Sequence, residues 1–105
     1  MSEPPKFYRD TKAEYPEVFE HYEGLSREAR RAGPLNAREV ALVKLAMAIG
    51  AGLEGASHSG VRKALAAGCT PEDLYHVAIL GMTTIGFPSA MRARAWVDDV
   101  VKATE

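Results

Sequence analysis

The chain has 105 residues, 26% of them charged, and a formal net charge of −1 with both signs spread along its length. That length suits one domain with an adequate core. The balance of charge argues against nucleic acid or an anionic membrane as the main partner. No run approaches the ~18 apolar residues of a membrane span, the N-terminus has no apolar leader-like region, and the single cysteine, Cys69, cannot form an internal disulfide. These features fit a cytoplasmic protein.

Residues 1–13 are polar, contain Pro4 and Pro5, and read as an extended N-terminal arm; residues 14–105 read as a single all-helical domain. In "YPEVFEHYEGLSREARRAG", Pro16 takes a favourable first-turn position with Glu17 after it. Val18, Tyr22, Leu25 and Ala29 then form an apolar stripe, and Gly33-Pro34 ends the helix.

"LNAREV" is a helix start. Asn36 caps, Glu39 stands three residues on, and Leu35 with Val40 occupies hydrophobic-staple positions. The helix that follows, "VALVKLAMAIGAGL", is apolar nearly all round, which places it in an interior. A domain this small has too few helices to surround it, so a partner copy is expected, with small residues such as Ala46, Ala48 and Gly50 allowing close approach. Lys44 interrupts this helix. Either its ammonium reaches out to solvent or it holds a substrate carboxylate. Gly50 and Gly52 bend or break the helix.

In "GLEGASHSGVRKALAAG", Glu54, His58, Val61 and Leu65 fall on one stripe, next to Leu53, Ser57, Gly60 and Ala64. The opposite face, Ser59, Arg62, Lys63 and Ala66, suits water. A glutamate and a histidine one turn apart, on a stripe that becomes apolar, can act as an oriented pair in which the carboxylate sets the ring's tautomer and readies it to give up a proton. The bland alternatives are a first-turn carboxylate at a positive helix end for Glu54 and a hydrogen-bonded interface histidine for His58. As metal ligands the two lack a third partner in the sequence, so no metal or other cofactor is expected. Ser57 and Ser59 flank His58 without an ordered triad. His21 and His76 have no motif around them.

Gly68 ends this helix. In "CTPEDL", Thr70 caps the next, Pro71 takes the first helical position, and Glu72 and Asp73 favour the positive end of the dipole. Leu74, Val77, Ala78 and Gly81 form its buried face, with Cys69 as a packing residue before the cap. "IGFP" interrupts at Gly86 and Pro88. The last helix buries Ala93, Trp96, Val97 and Val100 and carries Arg94–Asp98 as an exposed i,i+4 pair. No stretch reads as a strand. The fold class is all-α.

From about Leu35 to Val101 the sequence "REVALVKLAMAIGAGLEGASHSGVRKALAAGCTPEDLYHVAILGMTTIGFPSAM" resembles the carboxymuconolactone decarboxylase family, which also holds the alkylhydroperoxidase-D-like proteins. The resemblance rests on the glutamate opening the central helix, the run through Gly68 and Leu74, and the "GFPSA" turn at Gly86–Ala90. It implies a small helical subunit that assembles into homo-oligomers, often trimers or hexamers, with active sites near subunit contacts.

The departures fall at the site. The family's peroxidase branch carries C-x-x-C-x-x-x-H, and the matching positions here are Leu53, Ala56 and Gly60. Thiol peroxidase chemistry needs an attacking and a resolving thiol, so this chain cannot run it in that form. The decarboxylase branch places its histidine at Gly60, whereas His58 lies two residues earlier, about 200° round the helix. Glu54 is the better-supported carry-over.

The resemblance therefore implies a lyase releasing CO2 from a small carboxylated lactone or related acid. Lys44, or an arginine from another helix, would position the substrate, His58 would donate a proton and Glu54 would tune it. A non-catalytic oligomeric binding or scaffold protein with an eroded site is the alternative. Peroxidase-like activity is a third, opposed by the missing cysteines.

Overall fold

The computed structural model describes residues 4–104, which form six α-helices, one short 3-10 helix and, among those residues, no strand. The chain falls into two compact units that divide between Leu35 and Asn36.

The first unit holds α1 (Lys6–Glu14) and α2 (Pro16–Arg31). Most of the stretch expected as an extended arm is thus helical; residues 1–3 lie outside the described residues. The polar composition hid three supports. Lys6 and Asp10 form an i,i+4 ion pair at 2.8 Å, and Tyr8 sets its ring edge-on to Phe19 of α2, centroids 5.2 Å apart. Glu23 accepts hydrogen bonds from both Tyr8 and Lys12, at 3.2 and 2.9 Å. Pro16 begins α2 at its first position, as expected. Its stripe of Val18, Tyr22 and Leu25 is 62%, 61% and 68% exposed, so α1 leaves this face of α2 uncovered.

The second unit is built from α3 (Ala37–Gly50), α4 (Glu54–Ala66), α5 (Pro71–Leu80), the 3-10 turn Gly81–Thr83 and α6 (Phe87–Ala103). Asn36 and Glu39 make a reciprocal capping box at the start of α3: the Asn36 side chain accepts from the Glu39 N–H at 2.8 Å, and the Glu39 carboxylate from the Asn36 N–H at 2.9 Å. Thr70 and Asp73 make a second box at α5. Both α3 and α4 end in the same way. A left-handed glycine (Gly52, φ 72°; Gly68, φ 95°) lets its own N–H and the following one turn back onto the last carbonyls. Gly52 and Leu53 donate to Ile49 and Ala48, and Gly68 and Cys69 donate to Leu65 and Ala64. Each closure satisfies carbonyls that would otherwise be orphaned, and each reverses the chain within three residues.

The core lies where α4 packs against α3 and α6 and α5 packs against α6. Leu45, Val61, Leu74 and Val97 are completely buried, with Ala64, Ala78 and Ala93 between them. Each large aliphatic side chain contributes roughly 1.5–3 kcal/mol of burial. The all-apolar helix departs from expectation. Leu45, Ala48 and Ile49 of α3 are buried, but Val43, Ala46 and Met47 on its other side are exposed. Within this unit α4 and α5 cover one face of it, and its second face stays open.

Candidate functional site

The α3–α4 turn fixes the first residue of the site. Because Gly52 closes α3 and Leu53 serves directly as the N-cap of α4, Glu54 falls at the first helical position. His58 follows one turn later, on the border between the buried face of α4 (Ser57, Val61, Ala64) and solvent. Across from it, α6 carries Arg92, Trp96 and Asp99 at spacings of 4 and 3, on one helical face.

The crossing of α4 and α6 brings His58 Nε2 within 2.9 Å of Asp99 Oδ2. The His58 side chain is 24% exposed and that of Asp99 55%. Glu54 completes the cluster: one ligand atom from each of Glu54, His58 and Asp99 lies within 4.8 Å of the others. Beside it, the Arg92 guanidinium sits over the Trp96 ring, 4.8 Å from its centroid. It also covers the turn, 3.4 Å from where a Cβ on Gly52 would lie. The site is thus an imidazole flanked by two carboxylates, with a guanidinium held nearby on an aromatic face. It can exchange protons and can meet an anion.

Of the residues singled out from sequence, Glu54 and His58 come together. Lys44 is exposed on α3. Sequence reasoning missed Asp99 and Arg92. Asp99 is 41 residues from its partner, and no local motif marks it. The neighbouring Asp98 did have a local signal, its i,i+4 pairing with Arg94, and that contact is present at 3.8 Å. Asp98 also accepts a 2.5 Å hydrogen bond from Tyr75, so the two consecutive aspartates serve different helices.

Ser57 is completely buried, and its Oγ has no hydrogen-bond partner among the described residues, so none of them acts as a base to activate it. Cys69 is 5% exposed within the core cluster, with its thiol 4.0 Å from the Arg38 carbonyl oxygen. Burial pushes that thiol above the usual cysteine range. It is a packing residue that resists forming the thiolate. Gly60, which stands where the decarboxylase branch has its histidine, faces Leu45: a Cβ there would come within 3.2 Å of Leu45 Cδ1 and 3.4 Å of its Cα. Close packing of α3 on α4 has taken that place.

A separate groove of about 510 Å3 runs between α3 and α5. It is apolar along Leu42, Ala46, Ile49, Val77 and Leu80, and its polar residues include Arg38, Asp73 and His76. Arg38 and Asp73 pair at 2.8 Å. The Thr70 N–H and the Arg38 guanidinium hold the Asp73 carboxyl below the ordinary range. Glu54, His58 and Lys44 do not line this groove.

No helix among the described residues is long and apolar enough to cross a membrane. Comparison with curated proteins and with solved structures finds no match. The sequence profile of the carboxymuconolactone decarboxylase family matches residues 16–99, from the first residue of α2 to Asp99 in α6. With that span covering most of the chain and with helices throughout, the chain belongs to the carboxymuconolactone decarboxylase family.

Proposed function

We propose that this protein is a lyase that releases CO2 from a small carboxylated lactone or related acid. The observation that carries the reading is the His58 imidazole hydrogen-bonded to Asp99 at 2.9 Å, with Glu54 in the same cluster. Arg92, held on Trp96 beside the turn that leads into Glu54, takes the substrate-holding role as the arginine from another helix.

In this reading the guanidinium of Arg92 binds the anionic substrate and the Trp96 ring supplies an apolar wall. The bond between the substrate carbon and its carboxylate breaks, and its electron pair passes into the adjoining unsaturated carbonyl system as CO2 leaves. Protonated His58 then delivers its proton to the resulting enolate-like carbon. Asp99 orients the ring, and Glu54 reloads it from solvent. The active form is a homo-oligomer, a trimer or hexamer in keeping with the family, in which partner copies cover the exposed apolar side chains. The exposed Val18, Tyr22, Leu25 and Met47 support this.

The test is a panel of small carboxylated lactones incubated with the full chain while released CO2 is measured. Release by the wild type that His58→Asn and Arg92→Gln each reduce by at least about 100-fold is the expected result. Release that survives both substitutions would refute the assigned roles. A folded, oligomeric protein with no release from any member of the panel would favour the second reading, a binding or scaffold protein with an eroded site. Gly60 packed against Leu45, in place of the branch's histidine, is the observation on that side.

A further inference from the structure

We infer that Glu54, His58 and Asp99 form a binding site for one divalent transition-metal cation of the Zn2+ or Mn2+ kind. Glu54 and His58 stand at i and i+4 on α4, a spacing that points two side chains at one ion from a single helix face. The sequence lacked a third donor; the crossing of α6 supplies it as Asp99.

The distances fit shared coordination. Two donors each about 2.1 Å from one ion stand about 3.0 Å apart at a right angle and about 3.4 Å apart at a tetrahedral angle. His58 Nε2 and Asp99 Oδ2 are already 2.9 Å apart. The Glu54 oxygen, within 4.8 Å of both, closes the remaining gap by rotating an exposed and flexible side chain. Among the described residues no ion pair or side-chain hydrogen bond holds Glu54 elsewhere.

One imidazole with two carboxylates is a donor set for Zn2+, Mn2+ or Fe2+, whereas Ca2+ prefers oxygen alone. The positive end of α4 opposes a cation, but it amounts to about half a charge against two full carboxylate charges. Three protein donors at a half-open surface leave coordination positions for water or an anionic ligand, and Arg92 stands beside them to meet such an anion.

This inference stands apart from the lyase reading. A bound ion takes the place of the Nε2–Asp99 hydrogen bond that orients the ring in the lyase reading, and binding is measured with no substrate present. The experiment titrates the metal-stripped full chain with ZnSO4, and separately with MnCl2, by calorimetry. The expected result is one ion per chain for the wild type, with affinity lowered at least about tenfold in each of His58→Asn, Asp99→Asn and Glu54→Gln. His21→Asn and Cys69→Ser should bind as the wild type does. Helical circular dichroism of every variant checks the fold. Selective broadening of the His58 ring signals by Mn2+ in the wild-type spectrum gives a reading independent of any substitution. The inference is overturned by the absence of binding at millimolar metal, by binding that the three cluster variants leave unchanged, or by Mn2+ broadening centred elsewhere.

Discussion

Ser57→Ala should stabilise this protein. Ser57 sits at the fourth position of α4 with no exposed surface and an Oγ that has no hydrogen-bond partner among the described residues. Burying a hydroxyl without a partner costs about 1–3 kcal/mol, and alanine recovers that cost by removing the group. Alanine also gains about 0.5 kcal/mol in helix propensity. Against these stands the space left by one oxygen, roughly 10–15 Å3, which at about 24 cal/mol per Å3 costs about 0.3 kcal/mol. The balance is a gain of about 1–3 kcal/mol. For a domain near 100 residues that raises the melting temperature by about 5–15 °C. Urea unfolding followed by circular dichroism at 222 nm measures it, and the denaturant slope should stay constant. A variant that is less stable than wild type would refute the reasoning. It would show that the hydroxyl has a partner, such as the Leu53 carbonyl one turn back or a buried water.

Three further outcomes are expected. Light scattering at micromolar concentration should show a species several times the 11.4 kDa chain, and Met47→Glu, placed on the open face of α3, should lower its mass; an unchanged mass would remove that face from the interface. Cys69→Ser should leave helicity intact, and neither it nor the wild type should reduce hydroperoxides with a dithiol donor, because burial keeps the thiol protonated. A dithiol-dependent turnover lost on substitution would reverse that reading. The Asp73 carboxyl is held low by the Thr70 N–H and by Arg38, so its folded pKa lies below its unfolded one. Its stabilisation is complete above the ordinary carboxylate range and is lost as pH falls through the folded value. Asp73→Asn should therefore be less stable near neutrality and lose less stability on acidification, and parallel curves for the two proteins would contradict this.

Local signals in the sequence settled the second unit almost to the residue. Caps and breakers act over three or four positions, so Asn36 with Glu39, Thr70 with Pro71, and the glycines at 52, 68 and 86 could be read directly; each marks a helix boundary in the structure. The same is true of the all-α class and of Glu54 and His58 sharing one side of a helix, since helical period alone decides that. The arm before α2 was misread because α1 depends on Tyr8 meeting Phe19 and on Glu23 meeting Lys12, contacts that composition does not carry.

Tertiary structure alone decided what stands around His58. Asp99 and Arg92 reach the site because α6 crosses α4, an approach set by small core residues such as Ala64 and Ala93 that no spacing along the chain encodes. It also decided that α3 has one buried and one open face, a result fixed by how many helices surround it and not by its hydrophobicity. The physical reason is range. Hydrogen bonds that cap a helix are local, whereas packing that aims a histidine at an aspartate 41 residues away depends on the whole core.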